Sequence, residues 1–82
     1  MEDYSMRTIY KNPKELGACL RDIVDSYRDD LMTYEKLSDK VIKIVDSNVE
    51  RFFKNGDVEI KIANILEEDR IAIIKDILDK NN

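Results

Sequence analysis

The chain has 82 residues, with 14 Lys and Arg against 18 Asp and Glu, no His, one Cys and no Trp. That length holds one domain at most. A single Cys excludes intrachain disulfides and leaves too few N and S ligands for structural zinc. Without His, the Ser-His-Asp, Cys-His and paired-His metalloprotease chemistries are gone, and a net charge of −4 disfavours a general polyanion binder.

Charged residues make up 39% of the chain and hydrophobic ones 43%, with two Gly and one Pro. This mixture suits amphipathic helices rather than a loop-rich or disordered chain. No apolar run approaches the roughly 20 residues of a membrane span. Met1-Glu2-Asp3-Tyr4 carries neither the basic nor the apolar part of a signal peptide. A lone thiol fits a reducing compartment, so a cytoplasmic location is expected.

Residues 1–12 read as a short leader and 13–82 as a single helical domain. Within the leader, Thr8-Ile9-Tyr10 reads as an extended piece able to lay Ile9 or Tyr10 over a core. Asn12-Pro13-Lys14-Glu15 is a specific helix start: Asn caps, Pro suits the first helical position, and Glu15 stands where it can reach back to the cap. Leu16, Leu20, Ile23, Val24 and Tyr27 then fall on one face, predicting a helix over about residues 13–29. Gly17 near its start is read as a place of close helix–helix approach.

A second start lies at Thr33, with Met32 and Leu37 spaced as a hydrophobic staple. The pattern Tyr34, Leu37, Val41, Ile42, Ile44, Val45, Val49, Phe52 and Phe53 covers an arc of roughly 180°, wider than a one-sided helix needs. It predicts a long, central second helix ending at Lys54-Asn55-Gly56, where a cation and a Gly act as stop signals. Residues 58–62 are ambiguous between strand and helix. The reading favours a short third helix capped by Asp57, with Ile60 turned away from the core. Glu67-Glu68-Asp69 then breaks the pattern and supplies negative charge to the start of a fourth helix, about 69–79, through Ile71, Ile74, Ile77 and Leu78. The expected fold class is therefore all-α: a compact bundle of two long helices, paired as an antiparallel hairpin, followed by two short ones.

Candidate chemistry is sparse. Asp22, Asp25 and Asp29 cluster on the first helix, but Arg21 and Arg28 sit among them, and a calcium loop is lacking. The cluster reads as a charged face, with no metal and no cofactor implied. Cys19 has no His to activate it and reads as a packing residue. Asn48 falls inside the apolar arc, where a buried amide must find partners or fix the register of a self-association interface. Tyr34, Asn48, Phe52, Phe53 and Ile60 form the candidate interaction surface, because so wide an arc outruns the cover that three short neighbours give; core packing is the preferred reading for Tyr34 and Phe52 among them. A helix-turn-helix over 57–80 is conceivable, but Arg70, Asp76 and Asp79 among isoleucines make a poor base-reading helix. The lysine side of the second helix, Lys36, Lys40 and Lys43, is interrupted by Asp39.

Tyr10-Lys11-Asn12-Pro13-Lys14-Glu15-Leu16, Asp25-Ser26-Tyr27, Phe53-Lys54-Asn55-Gly56 and Arg70 ahead of an aliphatic C-terminal helix carry a resemblance. The chain resembles a family of small, roughly 80-residue uncharacterised proteins of Gram-positive anaerobic bacteria, over about residues 6–79. The resemblance implies a cytoplasmic bacterial protein and transfers no functional residues. The reading is a small non-enzymatic protein–protein interaction or regulatory module, self-associating as a homodimer or binding another protein. The alternatives are a helix-turn-helix-like nucleic-acid binder and a mobile-element-encoded inhibitor of a host enzyme.

Overall fold

The computed structural model describes residue 10 and residues 12–81; the expectations for Thr8 and Ile9 lie outside them. The chain forms α1 (Pro13–Arg28), α2 (Tyr34–Ser47), α3 (Val49–Phe52), β1 (Phe53–Lys54), β2 (Asp57–Val58) and α4 (Ile60–Lys80). It is mostly helical, as expected, with one small antiparallel strand pair added.

The first two helix starts form as their sequences dictate. Asn12 Oδ1 accepts the Glu15 N–H at 2.9 Å with Pro13 at the first helical position, and Thr33 Oγ1 accepts the Lys36 N–H at 3.2 Å. Helix α1 ends where Asp30 takes φ 64°; there the Asp30 N–H reaches the Tyr27 carbonyl (3.1 Å) and the Leu31 N–H the Ser26 carbonyl (2.8 Å). These two bonds are the Schellman closure, which satisfies carbonyls the helix leaves open.

The expected long second helix does not form. It stops at Ser47, because Asn48 leaves helical geometry (φ −132°, ψ 30°) and turns its side chain to local work. Its Nδ2 donates to the Ile44 carbonyl at 2.7 Å, and its own carbonyl receives the N–H groups of Arg51 and Phe52. A Ser, Asn or Asp side chain competes with the helical ladder in this way. One turn of α3 follows. Then Asn55 (φ 55°) and Gly56 (φ 84°) reverse the chain, pairing Phe53 with Val58 and Lys54 with Asp57. Two positive φ values in a two-residue loop match the twist of a hairpin. Lys54-Asn55-Gly56 is therefore a hairpin turn and not a helix stop, and Val58 lies in a strand whose partner is five residues upstream. The cap of the next helix is Glu59 rather than Asp57: Glu59 Oε1 accepts from Lys61 N (2.7 Å) and Ile62 N (3.3 Å).

Losing Val49, Phe52 and Phe53 to other elements narrows the apolar face of α2. The centre of the bundle shifts accordingly. α1 packs most extensively against α4, and α2 is the lesser neighbour of both, so α2 does not take the central place expected of it. Gly17 lies at the α1–α4 crossing. A Cβ there would stand 3.1 Å from Ile65 Cδ1 and 3.5 Å from Ile62 Cα, so the close approach anticipated for this glycine is real. Leu16, Leu20 and Val24 of α1 meet Leu37, Val41, Ile44, Phe52, Ile62, Leu66, Ile74 and Ile77 in one core, which Tyr10 also joins.

The break expected at Glu67-Glu68-Asp69 is present as a kink inside α4. Glu67 has φ 67° and ψ 171°, so two helical runs meet at an angle there. Only glycine adopts that backbone region without strain, and another residue costs about 1–3 kcal/mol. Glu67→Gly should therefore be more stable by about 1 kcal/mol, the relieved strain exceeding the added unfolded-chain entropy. A higher urea midpoint at unchanged slope is the expected readout; a lower midpoint would show that the relieved strain is smaller than the combined loss of chain stiffness and of the Glu67–Arg70 ion pair (3.7 Å).

Candidate functional site

The kink is held by charge. Arg70, three residues beyond Glu67, donates from Nε and Nη2 to Asp25 Oδ1 (2.8 Å) and Oδ2 (3.2 Å) on α1, and from Nη1 to the Leu66 carbonyl (3.2 Å). Beside it, Arg28 Nη1 meets Asp69 Oδ2 at 2.7 Å. Asp25, one of the acids of α1, thus tethers that helix to α4. Among the described residues, no three acidic or thiol side chains converge on a cation position.

The two-pronged bond from Arg70 holds the Asp25 carboxyl below the ordinary aspartate range, and the Arg28 hydrogen bond does the same for Asp69. For a group shifted this way, the unfolded chain takes up a proton first as pH falls. The stabilisation is present above the unfolded value and disappears as pH drops through the folded one. Asp25→Asn should lower Tm at pH 7, and the gap from wild type should shrink as pH falls below about 4. With no imidazole in the chain, both curves should be flat between about pH 5 and 7. A gap that persists at pH 2 would show that the Asp25–Arg70 pair is not what the substitution removed.

The candidate surface residues separate into two groups. Asn48 and Phe52 are buried, with 2% and 1% exposure. Asn48 Oδ1 accepts the Tyr10 N–H at 3.0 Å while its Nδ2 serves Ile44, so both ends of the amide work inside the domain. Phe52 fills the core and meets Phe53 edge-on, ring centroids 4.8 Å apart. Both side chains lie inside the domain rather than on its surface. Tyr34 is partly exposed (37%); its ring meets Tyr27 edge-on and lies under Lys80 Nζ at 5.6 Å. Ile60 is 70% exposed, turned away from the core as expected. Cys19 packs beside the core, and its Sγ accepts from the Tyr10 hydroxyl.

Phe53 is half-buried and leads to a different surface. Two adjoining depressions of about 480 and 380 Å³ lie between the hairpin and α4, sharing Ala72 and Lys75, and Ala63 from the first run of α4 also lines the smaller one. Phe53, Val58, Ile71, Ala72 and Leu78 supply the apolar side of this open groove. Asp57, Glu68, Asp76 and Asp79 supply carboxylates, and Lys75 is the single cation. Lys75 Nζ lies 3.4 Å from Asp57 Oδ1 and so ties α4 to the hairpin across the groove. The adjacent Val58 N–H, and after it Lys75, hold the Asp57 carboxyl below its usual range. Sequence reasoning reached Phe53 but missed Val58, Ala72, Lys75 and Leu78 as a group. The signal available was Asn-Gly set between Phe53 and Val58, a strong hairpin signature.

What the fold and this surface define is a small, mostly helical domain with a hairpin-walled groove. No helix among the described residues is long and apolar enough to cross a membrane. Residues 7–79 match the profile of a family described as conserved hypothetical protein, and the chain belongs to that family. No curated protein and no solved structure matches the chain.

Proposed function

We propose that the protein is a non-enzymatic protein-interaction module that receives its partner in the groove between the hairpin and α4, and that it works in the bacterial cytoplasm. The groove carries this reading: half-buried Phe53, Val58, Ile71 and Leu78 stand together beside a row of carboxylates on the hairpin and α4. Apolar surface ringed by polar groups is what interaction sites offer. The bacterial, Gram-positive anaerobe setting comes from the resemblance of the capping and core motifs, and the cytoplasmic one from the lone thiol. The nucleic-acid alternative is disfavoured by the exposed side of α4, where Glu68, Asp69, Asp76 and Asp79 would face phosphates.

A groove-blocking substitution tests the proposal. Ala72 is exposed on the floor, and Ala72→Arg places a long cation there without disturbing the core. Affinity capture from the native host should retain at least one protein on the wild-type chain and lose it on Ala72→Arg, at equal helicity. Identical retention by both chains would remove the groove from the function. The reading admits a second copy of the chain as the partner; sedimentation over a concentration series, with and without the substitution, separates self-association from binding to another protein.

A further inference from the structure

We infer that the groove selects a partner segment with an apolar centre flanked by two basic residues, an inference that rests on the groove being the binding surface. Glu68, Ala72, Lys75 and Asp79 follow one another at i, i+4, i+7 and i+11 on the second run of α4. At 3.6 residues per turn they share one exposed stripe, with its two carboxylates about 16 Å apart. The stripe reads negative, small, positive, negative. Its cation is already bridged to Asp57 on the hairpin. Its two carboxylates, Glu68 and Asp79, have no ion-pair partner among the described residues. Between them, Phe53 and Leu78 give an apolar wall.

Complementarity to this pattern is specific. A cation opposite Lys75 is repelled, so the centre of the partner segment is apolar and rests on Phe53, Ala72 and Leu78. Cations at both ends meet Glu68 and Asp79. Spanning about 16 Å takes about 5 residues of extended chain or about 11 of helix. Opposite charges across an interface chiefly set partner choice and encounter rate, while the apolar centre supplies the desolvated contact.

Random dodecapeptides displayed and selected on the immobilised full-length chain provide the test. Enriched peptides should carry Lys or Arg on both sides of two or more apolar residues. A synthetic copy of the leading peptide should shift the amide resonances of Val58, Ala72, Lys75 and Leu78. Its affinity should fall by about tenfold on Glu68→Lys/Asp79→Lys, and also between about 50 and 300 mM salt. Glu68→Gln/Asp79→Asn serves as the milder pair if charge reversal lowers helicity, with a smaller loss in the same direction. Enrichment of peptides without flanking cations, shifts confined to another face, unchanged affinity in the charge variants, or no enrichment at all would each overturn the inference. The outcome is distinct from that of the capture experiment: a native partner lost on Ala72→Arg but lacking such a segment leaves the groove as the binding surface and removes only its basic selectivity.

Discussion

Truncating Phe52 to alanine should cost about 3–5 kcal/mol of stability. A chain of this size has roughly 4–12 kcal/mol in total, so the variant should be close to unfolding at 37 °C. The physical cause is the position of the ring. Phe52 is the last residue of α3, 1% exposed, and its carbonyl receives the Glu59 N–H at 2.8 Å just beyond the hairpin. Removing the ring therefore leaves a cavity under the segment that reverses the chain, where the surroundings collapse only in part. Urea denaturation of wild type and Phe52→Ala measures the effect. The sequence pattern alone also allowed Phe52 as a contact residue, and a surface role would leave stability within about 0.5 kcal/mol. The two outcomes are far apart.

Asn48→Ala is the second large effect, with an expected loss of about 1–3 kcal/mol, the range for stripping a buried polar group of its partner. Asn48 joins three pieces of chain: Tyr10 through its Oδ1, the end of α2 through its Nδ2, and α3 through its backbone carbonyl. Alanine keeps only the last of these. Amide hydrogen exchange should show a local signature beyond the global loss: the Tyr10 N–H, protected by Oδ1 in the wild type, should exchange much faster in the variant. Unchanged exchange at Tyr10 would mean that Asn48 does not hold the N-terminal segment. An interface role for Asn48 would instead show as a shift in self-association at constant protection.

Much of the helical frame was legible because caps are local. Asn12-Pro13 and Thr33 each announce a helix within four residues, and the structure uses both caps in that way. Gly17 and the acidic break at 67–69 were legible for the same reason, one as a missing side chain and the other as an interruption of the apolar period. The middle of the chain was not. Lys54-Asn55-Gly56 signals a helix end and a hairpin turn with equal force, because both use residues tolerant of positive φ. What decides between them is Asn48, seven residues upstream, and whether its amide finds better partners by leaving the helix than by staying in it. Those partners include Tyr10, 38 residues away, and periodicity carries no information about such a contact. Likewise, the Arg70–Asp25 pair spans 45 residues, so each side chain in isolation read as surface charge.

The groove was hidden by the same error. Its hairpin wall comes from residues 53–58 and its helical wall from Ala63 and 68–79, and a helix running through residue 54 would carry Phe53 away from Val58 and Leu78. Phe53 thus entered the candidate surface for a reason unrelated to the place it takes. Tyr34 and Ile60 belong to other faces of the molecule and do not line this groove.

The groove exists only because the chain reverses at Asn55-Gly56. Solution NMR of the full-length chain examines that reversal most directly. Cross-strand contacts between Phe53 and Val58 and between Lys54 and Asp57 are expected, with positive φ at Asn55. An unbroken series of helical contacts from Ser47 through Lys54 would contradict it.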